Sequence, residues 1–185
     1  EALPDPGGQG HTEIMMELMN NPTFEQYYIS RYIDLGNTVF SCDYMLGHLD
    51  SLIALITPEM PAQVARWGSS IATWEANVQT LRDFITNRCV EIETGLVDCY
   101  DLDGPYQIIY DVAPIASGTI KVNSITLDQY PWTGTYYGGI DILLKANASP
   151  GYIFDYWESS ISDPFNPAAD TTDASIMSTG AQTIT

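Results

Sequence analysis

The stretch Glu91 to Val112, EIETGLVDCYDLDGPYQIIYDV, decides the fold, because the hydrophobic period changes inside it. Ile92 and Leu96 continue an upstream stripe in which apolar residues recur every three or four positions, the mark of an amphipathic helix. From Tyr106 onward the apolar residues alternate or form short runs broken by Gly, Pro and Asn, the mark of strands joined by turns. The change falls at Gly104-Pro105. The chain therefore reads as α+β: a linker over 1–11, an all-α lobe of four to five helices over 12–104, and a small antiparallel β domain over 105–185.

Upstream of the junction, the longest helix begins after Ser69 or Ser70 and carries Ile71, Trp74, Val78, Leu81, Ile85, Cys89, Ile92 and Leu96 in one stripe, about 40 Å long. Thr12 caps a short helix through Met19. Asn21-Pro22 is a strong helix start, since Asn accepts from exposed N–H groups and Pro suits the first helical position. Phe24, Tyr27, Tyr28, Tyr32, Leu35 and Val39 follow at helical spacing. Ser41 caps a third helix with Met45, Leu46, Leu49, Leu52, Ile53 and Ile56 as its apolar face, and a short fourth helix runs from Pro58 to Gly68. A bundle is expected, with Tyr27, Tyr28, Tyr32, Phe40, Trp67, Trp74 and Phe84 in its core.

Downstream, Gln107–Val112, Gly118–Leu127, Ile140–Lys145, Tyr152–Trp157 and Ala174–Thr185 read as short antiparallel strands of a small sheet or sandwich, the last one cut short. Thr133 to Gly139 reads as a turn-rich link with aromatics.

Composition bounds the function. With 185 residues and 45% hydrophobic content the chain can bury a sizeable core. Twenty-four acidic against six basic residues leave a net charge of -18, which repels phosphate backbones and leaves protein partners rather than nucleic acid. No apolar run is long enough to span a bilayer. The first residues, EALPDPGGQG, lack a charged-then-apolar signal pattern.

Three cysteines without C-x-x-C spacing, with two histidines, do not suggest a zinc site. Cys89 and Cys99 flank the end of the long helix, where a chain reversal would join them in a disulfide; free thiols are the alternative. Asp98, Asp101 and Asp103 before Gly104 invite a calcium loop, but Cys99 stands where its first acidic ligand belongs and Tyr110 where its last glutamate belongs. A solvated acidic linker is the better reading. Asp163, Asp170 and Asp173 are no better as a site.

The runs NPTFEQYYISRYIDLGNTVFS from Asn21, LDSLIALITPEMPAQVARWG from Leu49 and TWEANVQTLRDFITNR from Thr73 resemble the C-terminal helical part of the CotH family of secreted, kinase-like proteins. The elements are N-P-x-F, the R-Y-x-D-L of Arg31 to Leu35, P-E-M before an Arg-Trp pair, and the W-x(3)-V-x(2)-L-R-x-F-x(3)-R of Trp74 to Arg88. The resemblance implies kinship with an atypical protein kinase, some of whose members phosphorylate proteins using ATP and Mg²⁺ or Mn²⁺. In the family the elements for that chemistry precede this region. Here no lysine occurs before Lys121, and GGQG at Gly7 to Gly10 lacks the Lys-Ser/Thr of a phosphate loop. No catalytic, cofactor or metal residue carries over.

The strand half, with GTIKV from Gly118, YYGGIDILLKA from Tyr136 and ASPGYIFDYWE from Ala148, is similar to bacterial surface repeats related to the internalin B-repeat, where the Gly-Tyr-x-Phe-x-x-Trp ending at Trp157 closes the core. Together the two resemblances imply a secreted or cell-surface bacterial protein. The expected role is a non-catalytic fragment or subunit working through protein contacts. Two alternatives stand beside it: support for a kinase whose nucleotide site lies outside this chain, and a calcium-stabilised adhesin. Arg31 and Arg66 are the anion-binding candidates, against structural ion pairs with nearby Asp and Glu.

Overall fold

A computed structural model of the chain describes residues 10–162 and 165–185. The chain forms two compact units. One takes the described residues up to Asp34 together with Leu96–Thr185; the other is Leu35–Gly95. This division does not follow the change of period at Gly104-Pro105. The first two helices, expected in the all-α lobe, belong with the strands.

The helical unit contains α3 (Cys42–Ile56), a 3-10 turn (Thr57–Glu59), α4 (Met60–Trp67) and most of α5 (Ile71–Tyr100). The expected cap Ser41 holds, its Oγ accepting from Tyr44 N at 3.4 Å, and Ser70, one of the two serines placed before the long helix, accepts from Thr73 N at 3.1 Å, each satisfying an end N–H. Gly68, at φ 83°, ends α4.

Two ties set the direction of α3 against α5. A disulfide joins Cys42 to Cys89, with Cα atoms 5.9 Å apart, and Arg82 pairs with Asp50. Eight residues up α3 correspond to seven residues down α5, so the helices run antiparallel. The expected Cys89–Cys99 bridge is thereby corrected. Helix α5 does not reverse after Cys89 but continues to Tyr100, which puts Cys99 ten residues, about 15 Å, further along the same rod. Cys99 is an exposed free thiol.

The apolar stripe of α5 is its inward face: Ile71, Trp74, Val78, Cys89 and Ile92 are half-buried, and Ile85 and Leu96 are buried, while Leu81 is exposed. In α3 the inward face is Met45, Leu46, Leu49 and Ile53, whereas Leu52 and Ile56, expected beside them, are exposed. Phe40, Trp67 and Phe84, also expected in the core, are exposed too, as is Tyr27 of the preceding helix. A helix pair can bury only the sides that face each other, and the apolar residues on the remaining sides meet solvent.

The other unit combines α1 (Gly10–Met19) and α2 (Pro22–Gly36, as far as Asp34) with eight strands: β1 (Asp103–Tyr110), β2 (Gly118–Val122), β3 (Ile125–Thr126), β4 (Trp132–Gly138), β5 (Ile142–Ala148), β6 (Phe165–Asn166), β7 (Asp173–Ile176) and β8 (Gln182–Ile184). Helix α1 already includes Thr12, so that residue is not its cap; the linker expected over 1–11 lies almost wholly outside the described residues, as does Asp163. Asn21 does cap α2, its Oδ1 accepting from Thr23 N and Phe24 N at 3.0 and 3.2 Å.

The strands form a three-stranded sheet, β4-β1-β8, and a five-stranded sheet, β3-β2-β5-β7-β6. Alternation places Ile108, Tyr110 and Ile184 of the first, and Ile120, Val122, Ile142, Leu144 and Ile176 of the second, in the core. The expectation of an antiparallel domain holds for five of the six pairings and fails for β8, which runs parallel to β1.

Two local expectations are also corrected. The glycine-rich segment read as a link is strand β4. Gly134 sits there because its neighbours' rings occupy the place of a side chain: an added Cβ would come within 2.5 Å of the Trp132 ring and 2.8 Å of Tyr136. Those rings and Tyr110 form one aromatic cluster with centroids 5.7–6.4 Å apart. Conversely, Tyr152 to Trp157 alternates in sequence yet forms no strand. Trp157 is anchored instead by its own bonds: its backbone N donates to Ala169 O at 2.6 Å and its indole N–H to Thr171 O at 2.8 Å. It is buried between Phe154 and Phe165, with ring centroids at 5.4 and 6.4 Å.

Candidate functional site

Asp34 is a buried carboxylate with several hydrogen-bond partners. Helix α2 turns Gln26, Ile29, Ser30, Ile33 and Asp34 to one side at helical spacing, and the last four are buried. Asp34 is fully buried and accepts from Ser124 N at 2.8 Å, from Ser124 Oγ, and from Asn123 Nδ2 at 3.3 Å. Asn123 and Ser124 make the tight turn between β2 and β3, where Asn123 adopts φ 46°. Arg31 donates to the same Ser124 Oγ at 2.8 Å. Two turns earlier, Gln26 donates to Asp141 O at 2.7 Å and to Ser30 Oγ at 2.8 Å, and accepts from Asp141 N at 3.4 Å. The helix is thus fastened to the strands at two points.

Burial raises the Asp34 carboxyl above the ordinary aspartate value, against the bonds from Ser124 and Asn123 and the charge of Arg31, which pull it down. Burial also pushes the hydroxyls of Tyr110 and Tyr136 well above the usual tyrosine range, and the Asp34 charge adds to the effect. In the sequence Asp34 is one of the acidic residues near the arginines that a structural ion pair would use. The signal for its burial is the polar ladder Gln26, Ser30, Asp34 at intervals of four, interleaved with Ile29 and Ile33.

The two anion-binding candidates are not brought together. Arg31 belongs to the β-bearing unit and is committed to Ser124; Arg66 belongs to the helical unit and lies over the Trp67 ring, 5.2 Å from its centroid. Arg82 pairs with Asp50 of α3.

A cleft of about 250 Å³ opens in the β-bearing unit, lined by Asp111, Ile120, Asp155, Tyr156, Trp157 and Glu158 among others. Three carboxylates and no lysine or arginine face it, so its field opposes a triphosphate. Among the described residues no three His, Cys, Asp or Glu side chains gather so as to hold a metal ion. Of the two lysines, Lys145 is held by Asp173 at 2.9 Å and Lys121 projects from β2 to solvent.

The helical unit presents a different kind of surface: Tyr44, Leu52, Leu55, Trp67, Phe84 and Val90 are all exposed. No helix among the described residues is long and apolar enough to cross a membrane.

Compared with known proteins, residues 7–92 match the family model of the CotH kinase protein. No curated protein and no solved structure gives a significant match. The matched segment takes in α1 to α4, with the Gln26–Ser30–Asp34 ladder, and the part of α5 that holds Cys89. Over those residues, a little under half of the chain, the protein is similar to that family.

Proposed function

We propose that the chain works through protein contacts: a CotH-like helical segment that offers a surface to a partner protein, joined to a β module of the kind found in bacterial surface proteins. The observation that carries this reading is the apolar surface of the helical unit, where Leu55 is 74% exposed on α3, which a disulfide ties to α5, and Trp67 is 70% exposed on α4. The acidity of the chain and the disulfide suit a location outside the cytoplasm. The role of Trp157 at the centre of its aromatic contacts suits a repeat module whose aromatic residues serve packing.

The match to a kinase family favours a second reading, in which this chain supports an ATP site supplied from outside it. Incubation of the 185-residue chain with radiolabelled ATP, Mg²⁺ or Mn²⁺ and acceptor proteins is the deciding experiment. No transferred phosphate is expected. Transfer by this chain alone would overturn the protein-contact reading.

A further inference from the structure

Deepening that reading, we infer that the outer side of α3 is the docking surface, and that it takes an amphipathic α-helix of a partner protein with basic residues flanking its apolar stripe. On α3 the side turned away from Leu49 holds Tyr44, Gly47, His48, Ser51, Leu52, Ala54 and Leu55, all exposed. Tyr44, His48, Leu52 and Leu55 follow at the spacing of one helix face, about 16 Å long. The ring of Tyr44 stacks on His48 with centroids 6.1 Å apart. Ser51 Oγ donates back to Gly47 O at 2.9 Å, so its hydroxyl makes no demand on a partner. The only charges of α3, Asp43 and Asp50, lie together at one flank.

Gly47 is the independent observation. A glycine inside a helix is unfavourable relative to alanine, and here nothing lies within 4 Å of an added Cβ, so the protein's own packing does not require it. Gly47 with Ser51 and Ala54 leaves a shallow groove beside the Tyr44–Leu55 ridge, the relief that lets a second helix approach closely.

The flanks choose the partner. Asp43 and Glu59 are exposed at either end of the face, and the helical unit carries seven carboxylates against three arginines. A second copy, also at -18, is repelled, while lysines or arginines beside an apolar stripe complement both features.

The test uses the full disulfide-bonded chain and a fluorescein-labelled amphipathic peptide of leucine and lysine, followed by anisotropy in physiological salt. The peptide is expected to bind, and L52S/L55S, which leaves the charge unchanged, to bind at least about tenfold more weakly. Gly47→Leu is expected to weaken binding by filling the groove, with helix content and melting temperature retained. Equal binding by the wild type and L52S/L55S would reduce the attraction to charge alone and overturn the proposal. So would equal binding of a leucine–glutamate peptide, or a dimer of the chain that L55S dissolves. None of these results involves phosphate transfer, so each leaves the broader reading standing.

Discussion

The β-bearing unit and the helical unit distribute polar and apolar groups in opposite ways. In the first, a carboxylate and a serine of α2 are buried and a glutamine half-buried: Ser124 and Asn123 donate to the carboxylate, and the glutamine donates to the serine and to Asp141 O; the apolar groups of β1, β2, β5, β7 and β8 fill the core. In the second, little polar matter is buried and much apolar matter is left outside, with a covalent link and an ion pair between α3 and α5. A unit with a full core can satisfy a buried polar hub. A thin pair of helices has too little interior and depends on cross-links.

The largest expected effect tests that dependence. Replacing both Cys42 and Cys89 by serine removes a link spanning 47 residues, and loop-closure entropy sets its contribution at about 4 kcal/mol. Thermal unfolding followed by far-UV dichroism should lose helix signal at much lower temperature, while tryptophan fluorescence of the Trp157 cluster persists. A helical melt insensitive to the double substitution would show that the apolar contacts suffice.

Next comes Asp34. Asp34→Ala leaves Ser124 N and Asn123 Nδ2 without their acceptor, a loss of about 2–3 kcal/mol in chemical denaturation. Asp34→Asn should lose less, since it keeps an acceptor oxygen. The pH dependence has a definite sign: because the folded state raises this carboxyl above its ordinary value, the folded chain holds the proton more tightly than the unfolded one. Its contribution therefore grows as pH falls through the raised value toward 3.8 and is lost as pH rises back through it. Asp34→Asn removes that slope. The same slope in wild type and variant would place the titrating group elsewhere.

A smaller effect, about 1–3 kcal/mol, is expected for Gly134→Ala, whose methyl group would collide with the Trp132 and Tyr136 rings. A near-ultraviolet dichroism spectrum unchanged by the substitution would argue that the rings move aside freely. Smallest is Lys145→Met. Lys145 and Asp173 face each other across β5 and β7, but both are open to solvent, so the melting temperature should hardly move; a large shift would show that this contact matters more than an exposed pair can.

Much of this was legible in the chain. Asn21, Ser41 and Ser70 cap where their side chains can accept from the next helical turn, a rule that depends on a few neighbouring residues. The α5 stripe was legible for the same reason: period alone marks one face. Period does not say what lies opposite that face. Leu52 and Ile56 shared the pattern of Leu49, yet are exposed, and Asp34 lacked the pattern but is buried and bonded to a turn ninety residues away. Gly134 misled because glycine usually marks a turn; only the rings of Trp132 and Tyr136 explain its place in a strand.

What the sequence determined by itself is local: where helices and strands start, that helices precede strands, and that the chain is too acidic to attract phosphate. These follow from hydrogen bonding and side-chain spacing within a few residues. Tertiary structure alone decided which cysteine pairs with Cys42, that β8 runs parallel to β1, that α2 joins the strands, and that one side of α3 stays bare. Each of these depends on groups distant in sequence meeting in space, where burial and the pairing of buried donors with acceptors choose among arrangements that local pattern leaves equal.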